Sequence, residues 1–380
     1  MIARSLRVRL LRLALRALFG LPRPVKRLLA GRAVRLDGQL LDLDLQLLNR
    51  AGELLSRAAP VGQAALDEQR RQADVAAELV AEGLFDDVVV RDLTVPGADG
   101  AIPARLYVPP GLDGPSGLLV YFHGGGFVLG SIASADPLCR LLAAQAGVRV
   151  LSVEYRLAPE HPYPAALDDA IAAYRYARAH AEGLGADPGL VAVGGDSAGA
   201  NLALVVAHEA TEQPPAFVVA LYPATDAERR GGSRVTFGTG FGITAEYLLE
   251  LESMYLPEGV PTDDARGAIL RAEDLSAMPP VYLATAGFDP LRDEGEELAE
   301  RLRECGVPVV ARRFAGLIHG YATFTAISRA AHDATFDAAS ALRAGLALVG
   351  SRRARPAPAP SPGRASARSR IPRRSEPYAV

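Results

Sequence analysis

The stretch LVAVGGDSAGANLALVVAHEA, residues 190–210, decides the fold. It opens with a short apolar run rich in valine, which is typical of a buried strand, and it ends in a run typical of a helix. Between them lies a turn in which Ser197 has a glycine two positions away on each side. Because glycine tolerates a pinched backbone, this context predicts a nucleophile elbow, with the serine hydroxyl at the carboxyl edge of a sheet.

The pentapeptide alone has a second interpretation. A serine after a tight turn is equally typical of a residue that caps the following helix. In an elbow, by contrast, the backbone N–H of Ala198 and the positive end of the helix point at the oxygen of the carbonyl that Ser197 attacks. Other motifs in the chain are needed to distinguish the nucleophile elbow from a helix-capping serine.

Short apolar runs alternate with helix-length segments through most of the chain. Near-continuous apolar runs are typical of strands that are buried on both faces of a parallel sheet. The alternation therefore predicts an α/β fold with a mostly parallel central sheet and helices on both faces. Val88–Val95 and Ala104–Val108 flank turn residues and predict an antiparallel hairpin. The other strands are predicted at 118–122, 148–153, 190–193, 217–221, 281–286 and 309–314, and helices at 137–146, 165–181, 198–211 and 292–305.

Residues 226–278 interrupt this alternation, because they carry helical but no clear strand signals. An inserted helical cap is the simplest explanation, and the helical, acidic and apolar residues 37–85 are expected to contribute to it. The predicted domain is therefore 37–350. It is preceded by a basic Arg/Leu-rich arm at 1–36 and followed by a tail at 351–380, which is too rich in proline and too poor in apolar residues to pack and is predicted to be disordered.

The formal net charge of −3 hides an uneven distribution. Residues 1–36 carry ten basic residues and no acid, and residues 351–380 carry eight arginines and one glutamate. Residues 37–350 hold 23 basic and 43 acidic residues, a formal charge of −20. Because an acidic body repels nucleic acid, we expect no nucleic-acid partner, and only the two ends suit contact with a polyanion.

The chain contains no run of 18 uncharged apolar residues, so no segment is predicted to span a membrane. Arginines interrupt the leucines of residues 1–36 every few positions, which argues against a secretory signal and favours a cytoplasmic protein. The leucines and arginines of this arm do not separate onto clean faces. The arm therefore fits either weak peripheral contact with a membrane surface or loose docking on the body.

A second glycine-rich motif follows the strand predicted at 118–122. His123 precedes Gly124, Gly125 and Gly126. Three successive residues without side chains let backbone N–H groups approach a substrate oxyanion closely. An ordinary glycine-rich loop is the alternative interpretation, and a phosphate cradle is the weaker one, since the motif has neither G-x-G-x-x-G nor a Walker lysine.

Together the motifs resemble those of the hormone-sensitive-lipase-like (family IV) esterases and lipases of the α/β-hydrolase superfamily. The resemblance spans about 37–350 and implies an α/β-hydrolase fold with a helical cap and hydrolysis of carboxylic esters. Two features depart from the family pattern: Ala200 stands where another glycine is frequent, and the two basic ends belong to no family motif. The matching motifs are HGGGF at 123–127, VEYRLAPEHPYPAALDD at 153–169, GDSAGANLA at 195–203, DPLRDEG at 289–295 and IHGY at 318–321.

The resemblance implies a catalytic triad of Ser197, Asp289 and His319. Asp289 follows the strand predicted at 281–286, at the edge where open α/β sheets place function. Its alternative role is a helix N-cap, because Pro290 suits a first helical position. His319 follows the last predicted strand, and the order Ser, Asp, His is that of α/β-hydrolases.

The resemblance further implies an oxyanion hole of backbone N–H groups from Gly124, Gly125, Gly126 and Ala198. The expected substrate is a small-molecule ester of short to medium acyl chain, and the expected reaction needs no metal and no organic cofactor. A deacetylase or amidase with the same triad, a lipase that docks on lipid through its arm and a non-catalytic small-molecule receptor are the alternatives. A homodimer is compatible with the sequence.

Other conspicuous residues have structural interpretations. Asp196 is predicted to be a structural polar partner rather than an acid in the chemistry. Tyr155, Arg156, Glu160 and Tyr163 are expected to serve mainly as scaffold beside the site, with direct substrate contact as the alternative. Cys139 and Cys305 show no metal or disulfide pattern and are expected to be reduced packing residues. Several aromatic residues fit either an acyl pocket or the core of the cap: Phe127, Phe237, Phe241, Tyr247 and Tyr255.

Overall fold

The computed structural model describes residues 2–56, 66–80, 85–259 and 265–354. Its strands are β1 (Arg35–Leu36), β2 (Gln39–Leu40), β3 (Val89–Gly97), β4 (Gly100–Val108), β5 (Ser116–Phe122), β6 (Arg149–Val153), β7 (Ala186–Asp196), β8 (Val218–Leu221), β9 (Val281–Phe288) and β10 (Val309–Ile318). The centre of the fold is an eight-stranded sheet in the order β10-β9-β8-β7-β5-β6-β4-β3, and β1 and β2 form a separate two-stranded ribbon.

Strands β5 to β10 are parallel to their neighbours, whereas the hairpin of β3 and β4 adds antiparallel to β6 at one edge. The predicted mostly parallel sheet with an antiparallel hairpin is therefore confirmed. Each predicted strand lies within a few residues of an observed one. The largest difference is at β7, which extends beyond the predicted strand by four residues at its start and by three at its end.

Helices cover both faces of the sheet, as predicted. The helices of the described residues are α1 (Ile2–Phe19), α2 (Arg23–Ala30), α3 (Leu43–Ser56), α4 (Leu66–Val80), α5 (Ile132–Ala146), α6 (Ala165–Ala179), α7 (Ala198–Glu209), α8 (Ser233–Thr236), α9 (Ala245–Tyr255), α10 (Arg292–Glu304) and α11 (Arg329–Ala354). In β5 the odd and even positions belong to different cores: Val120 packs in one apolar cluster with α6, α7 and α10, and Leu119 packs in another with α5 and α11.

Helix α5 begins at Ile132, five residues before the predicted start at Pro137. The reason is a capping box: the Ser131 side chain accepts a hydrogen bond from the Ser134 N–H, and the Ser134 hydroxyl accepts one from the Ser131 N–H. This cap satisfies donors at the start of the helix. Pro137 consequently lies inside the helix rather than at its first position.

The predicted cap segment 226–278 lies between β8 and β9 and contains α8 and α9, with no strand among its described residues 226–259 and 265–278. The described part of the predicted segment 37–85 includes α3 and α4. Helix α11 continues to Ala354, so the first four residues of the predicted tail, 351–354, are helical rather than disordered, because they extend a long helix that packs on the sheet; the rest of the predicted tail lies outside the described residues. The division into arm, capped domain and tail stays a prediction.

The first 36 residues include α1 and α2, and part of this segment packs on the body. Phe19 and Ala30 form a small apolar cluster with Leu43 and Leu47 of α3 and with Ile327. The Lys26 ammonium pairs with Asp44 beneath α2. None of the described helices is long and apolar enough to cross a membrane.

Candidate active site

Ser197 lies at the tight turn between β7 and α7, with φ of 54°. A positive φ is strained for serine and is typical of a nucleophile elbow. The two flanking glycines are needed because backbones approach closely there. A Cβ added to Gly199 would lie 1.9 Å from the carbonyl oxygen of Phe122, and one added to Gly195 would lie 2.4 Å from the oxygen of Gly199.

The Ser197 hydroxyl does not cap helix α7. Instead, Ser197 Oγ lies 2.9 Å from His319 Nε2, and His319 Nδ1 lies 2.8 Å from Asp289 Oδ2. All three side chains are largely buried. The structure thus brings together three residues that are separated by 92 and 30 positions in the chain, in a continuous line of hydrogen bonds.

The Asp289 carboxylate has two partners. Its Oδ2 faces His319, and its Oδ1 accepts a hydrogen bond from the Leu291 N–H at 2.8 Å. Helix α10 begins only at Arg292, so Pro290 is not its first residue and Asp289 is not its N-cap. The bond to Leu291 holds the carboxylate in place for the contact with the imidazole.

The charge of Asp289 sets the tautomer and the basicity of His319. With Nδ1–H donating to the carboxylate, Nε2 is left as the acceptor for the hydroxyl proton of Ser197. Burial by itself lowers the pKa of His319, but the charge and the hydrogen bond of Asp289, together with the charges of Asp196 and Glu294, raise the pKa above its ordinary value. The pair is therefore arranged for proton abstraction from Ser197.

The loop of Gly124, Gly125 and Gly126 follows β5 and lies beside the elbow, where Gly125 and Gly126 line the same cavity as Ser197. Both have positive φ, and a Cβ on Gly125 would lie 2.2 Å from the oxygen of Leu129. The Gly124 N–H donates to Asp196 Oδ1 at 2.9 Å. Gly124 is thus already engaged, so the oxyanion donors that remain from the predicted set are those of Gly125, Gly126 and Ala198.

Asp196 joins the elbow to this loop. Besides the Gly124 N–H, its Oδ1 accepts a hydrogen bond from the Tyr121 hydroxyl at 2.6 Å. Burial raises the pKa of Asp196, and these two donors, which stabilise its charged form, offset only part of that rise. This arrangement agrees with the predicted structural role of Asp196, because its carboxylate ties the glycine loop to the residue directly before Ser197.

Ser197 opens onto an apolar cavity of about 210 Å³. One wall comes from the predicted cap segment 226–278, mainly from Leu248, Leu251 and other residues of α9. The described residues of 37–85 contribute no lining side chain. The aromatic candidates divide into two groups: Phe127, Tyr247 and Tyr255 line the cavity, whereas Phe237 and Phe241 pack on Phe288 in the core.

Tyr222 is a cavity residue that the sequence analysis missed. Its ring lies edge-on to the imidazole of His319, with centroids 5.0 Å apart, and it lines the cavity. Tyr222 directly follows β8, and polar or aromatic residues at the carboxyl ends of parallel strands are candidates for a site. That position was the signal that could have identified it.

The loop from Tyr155 to Tyr163 has a scaffolding arrangement. The Arg156 guanidinium binds the buried Asp169 carboxylate through two hydrogen bonds, and Glu160 binds Arg70 of α4 in the same paired manner. The Tyr155 hydroxyl donates to the carbonyl of His123. Tyr155 therefore supports the start of the glycine loop, and none of the four predicted scaffold residues lines the cavity.

The described residues contain no cluster of three or more His, Cys, Asp or Glu side chains that could hold a metal ion. Cys139 is buried in the core, and Cys305 is partly buried at the end of α10; both are free thiols.

Comparison with known proteins agrees with the fold. Residues 119–323 match the family model of the alpha/beta hydrolase fold. The chain is 40% identical to the carboxylic ester hydrolase LipN of Mycobacterium tuberculosis, over 87% of this chain and 90% of LipN. It is 38% identical to the ethyl acetate hydrolase of Pseudomonas putida, over 69% of this chain and 85% of that protein.

Solved structures show the same relationship. EstE1, a thermostable carboxylesterase from a metagenomic library, superposes with a TM-score of 0.70 at 37% identity, covering 74% of this chain and 98% of EstE1. The chain therefore belongs to the α/β-hydrolase family. Within that family it is a hydrolase of the carboxylesterase type, and the predicted resemblance to the hormone-sensitive-lipase-like esterases is confirmed.

We expect Asp196→Ala to lower kcat for p-nitrophenyl butyrate by about 10- to 100-fold with little change in KM, because loss of the tether lets the oxyanion donors move. Asp196→Asn keeps an acceptor oxygen and should restore most of kcat. Thermal unfolding of both variants controls for folding. Two folded variants with wild-type kcat would show that the tether does not position the loop.

Proposed function

We propose that this protein hydrolyses carboxylic esters of short to medium acyl chains, with Ser197 as nucleophile, His319 as general base and acid, and Asp289 as the residue that orients the imidazole. The observation that carries the proposal is the line of hydrogen bonds from Asp289 through His319 to Ser197, which ends at an apolar cavity. The same three groups recur in serine hydrolases of unrelated folds, so their geometry argues for the role.

In the first half of the reaction, His319 Nε2 takes the hydroxyl proton of Ser197, and Oγ attacks the ester carbonyl carbon. The carbonyl π electrons move onto oxygen, and the oxyanion accepts hydrogen bonds from the N–H groups of Ala198, Gly125 and Gly126. Each such donor lowers the barrier by about 3 kcal/mol. Asp289 stabilises the imidazolium that forms, without taking its proton.

The tetrahedral intermediate then collapses. The bond between the carbonyl carbon and the alkoxy oxygen breaks, His319 gives its proton to the leaving alcohol, and an acyl ester on Ser197 remains. Water, deprotonated by His319, attacks this ester and releases the acid by the same route. Ser197 and water supply the attacking electron pairs, and His319 transfers each proton, so the reaction needs no cofactor.

The size of the cavity supports small substrates. Its volume of about 210 Å³ is below the range of about 300–1,000 Å³ that is typical of pockets for drug-sized ligands. The relative from Pseudomonas putida is named for ethyl acetate, a small ester, and a relative from Salmonella is named an acetyl esterase. Small esters are therefore the substrates to test first.

We expect Ser197→Ala to lower kcat/KM for p-nitrophenyl butyrate by at least about 10⁴-fold, because no other group forms the acyl ester. Ser351→Ala, a matched change at an exposed serine, should leave the rate unchanged. Steady-state release of nitrophenol measures both. Turnover by a folded Ser197→Ala variant near the wild-type rate would overturn the proposed nucleophile, and a folded wild type without turnover would overturn the general esterase function.

The pH profile tests the roles of His319 and Asp289. Only neutral imidazole accepts the serine proton, so kcat/KM should rise with pH through the pKa of His319, which Asp289 holds above its ordinary value. Asp289→Asn removes that charge, so the acidic limb should move to lower pH while the plateau falls by about 10³- to 10⁴-fold. An acidic limb that stays in place or moves to higher pH would contradict this electrostatic role.

Acyl preference tests the function of the cavity. We expect kcat/KM to be highest for p-nitrophenyl butyrate or hexanoate and to fall for laurate and palmitate. Leu251→Ala enlarges the cavity, because Leu251 lines it, and should raise the ratio of laurate to butyrate turnover. Leu249→Ala in the same helix α9 is the matched control, since Leu249 is 41% exposed and should leave that ratio unchanged. Equal ratios in both variants would show that Leu251 does not limit acyl length.

A further inference from the structure

Exposed apolar side chains are concentrated near the start of the chain. Fourteen large hydrophobic residues are exposed in the described part of the chain, and eight of them lie in residues 10–40. Single exposed leucines are ordinary on a protein surface, but a concentration of this kind marks an interaction surface. We call residues 10–40 the basic apolar surface.

Helix α2 is oriented with its apolar stripe outward. Val25, Leu28 and Leu29 share one face at the spacing of i, i+3 and i+4, and Leu28 is 81% exposed. The opposite face is buried and carries Lys26, whose ammonium donates to the Asp44 carboxylate and to the carbonyl oxygen of Phe19.

That ion pair keeps the leucines outside. If α2 rolled to bury its stripe, Lys26 would turn to solvent and would leave Asp44, largely buried in α3, without its partner. The exposed stripe is therefore built into the fold, rather than being a face that can be covered by a rotation of the helix.

Helix α1 repeats the arrangement. Leu10 and Leu13 are exposed on its outer side, whereas Leu15, Leu18 and Phe19 face the apolar cluster beneath it. Only the short segment Gly20–Pro22 separates α1 from α2. Helix α1 thus directs one apolar stripe at the body and a second one at solvent, and α2 adds its own stripe on the solvent side.

Exposed cations lie among these leucines. Arg16, Arg23, Arg32 and Arg35 are exposed, and residues 1–36 contain no acid. The remainder of the domain, residues 37–350, has a formal charge of −20. An anionic surface would attract the basic segment and repel the acidic body, which orients the protein as well as holding it.

We propose that the basic apolar surface docks on an anionic lipid membrane. Leucines of α1 and α2 enter the boundary between headgroups and acyl chains, and the arginines bind the anionic headgroups. An anionic membrane thus offers a partner both to the exposed leucines and to the exposed arginines. A symmetric dimer through this face would bring two basic segments together, and a nucleic acid would leave the leucine stripes without a partner.

The test is sedimentation of the full chain with large unilamellar vesicles. Vesicles of phosphatidylglycerol and phosphatidylcholine in equal parts should bind it at least about tenfold more tightly than phosphatidylcholine alone, and added salt should weaken the binding. Leu28→Ser with Leu29→Ser should lower the affinity at least about tenfold. Arg32→Gln with Arg35→Gln should lower it by about tenfold and reduce the salt dependence.

The matched control is Val235→Ser with Leu348→Ser, two exposed apolar residues outside this surface, at 72% and 60% exposure. This variant should bind vesicles as the wild type does. Turnover of p-nitrophenyl butyrate in solution should be unchanged in every variant, which separates this proposal from the proposed function: loss of turnover in Ser197→Ala leaves vesicle binding intact.

Three outcomes would overturn the proposal. The first is a wild type that binds neither kind of vesicle. The second is equal binding by the wild type and the Leu28→Ser, Leu29→Ser variant. The third is a wild-type dimer in sedimentation velocity that the serine substitutions dissociate, without any binding to lipid, which would assign the surface to contact between copies of this chain.

Discussion

The arrangement of the catalytic edge depends on one close backbone contact, between the first turn of α7 and the end of β5. At Gly199 there is no room for a Cβ, because the Phe122 carbonyl oxygen lies only 1.9 Å from where that atom would be. The contact brings the nucleophile elbow against the strand from which the glycine loop leaves. Ser197 and the N–H donors of Gly125 and Gly126 consequently line one cavity, as preorganised oxyanion stabilisation requires.

Two buried aspartates complete this edge with different roles. Asp289 acts on the imidazole of His319, whereas Asp196 accepts hydrogen bonds from Tyr121 and from Gly124 and so holds the loop. Each carboxylate has at least two donors, which offset part of the cost of its burial. In the proposed mechanism, the nucleophile, the base and the glycine loop are thus held by hydrogen bonds that exist before substrate arrives.

The limits of sequence reasoning are seen in particular residues. The capping box at Ser131 is a local pattern, yet the helix was predicted to begin only at Pro137, five residues after its observed start. Gly124 fits the pattern of an oxyanion donor, but its N–H is engaged by Asp196, 72 residues later. Phe237 and Tyr255 have similar character in the sequence, and only packing directs one into the core and the other into the cavity.

The sequence by itself determined the alternation of strands and helices, the elbow at Ser197, the chain order of Ser197, Asp289 and His319 and the concentration of positive charge at both ends. These features depend on neighbours within a few positions, or on composition, which one sequence contains in full. The tertiary structure decided the distances among the three site residues, the lining of the cavity and the outward face of α2. Those depend on the packing of residues that are distant in the chain, such as Lys26 on Asp44 and Gly199 on Phe122, and local patterns do not encode such contacts.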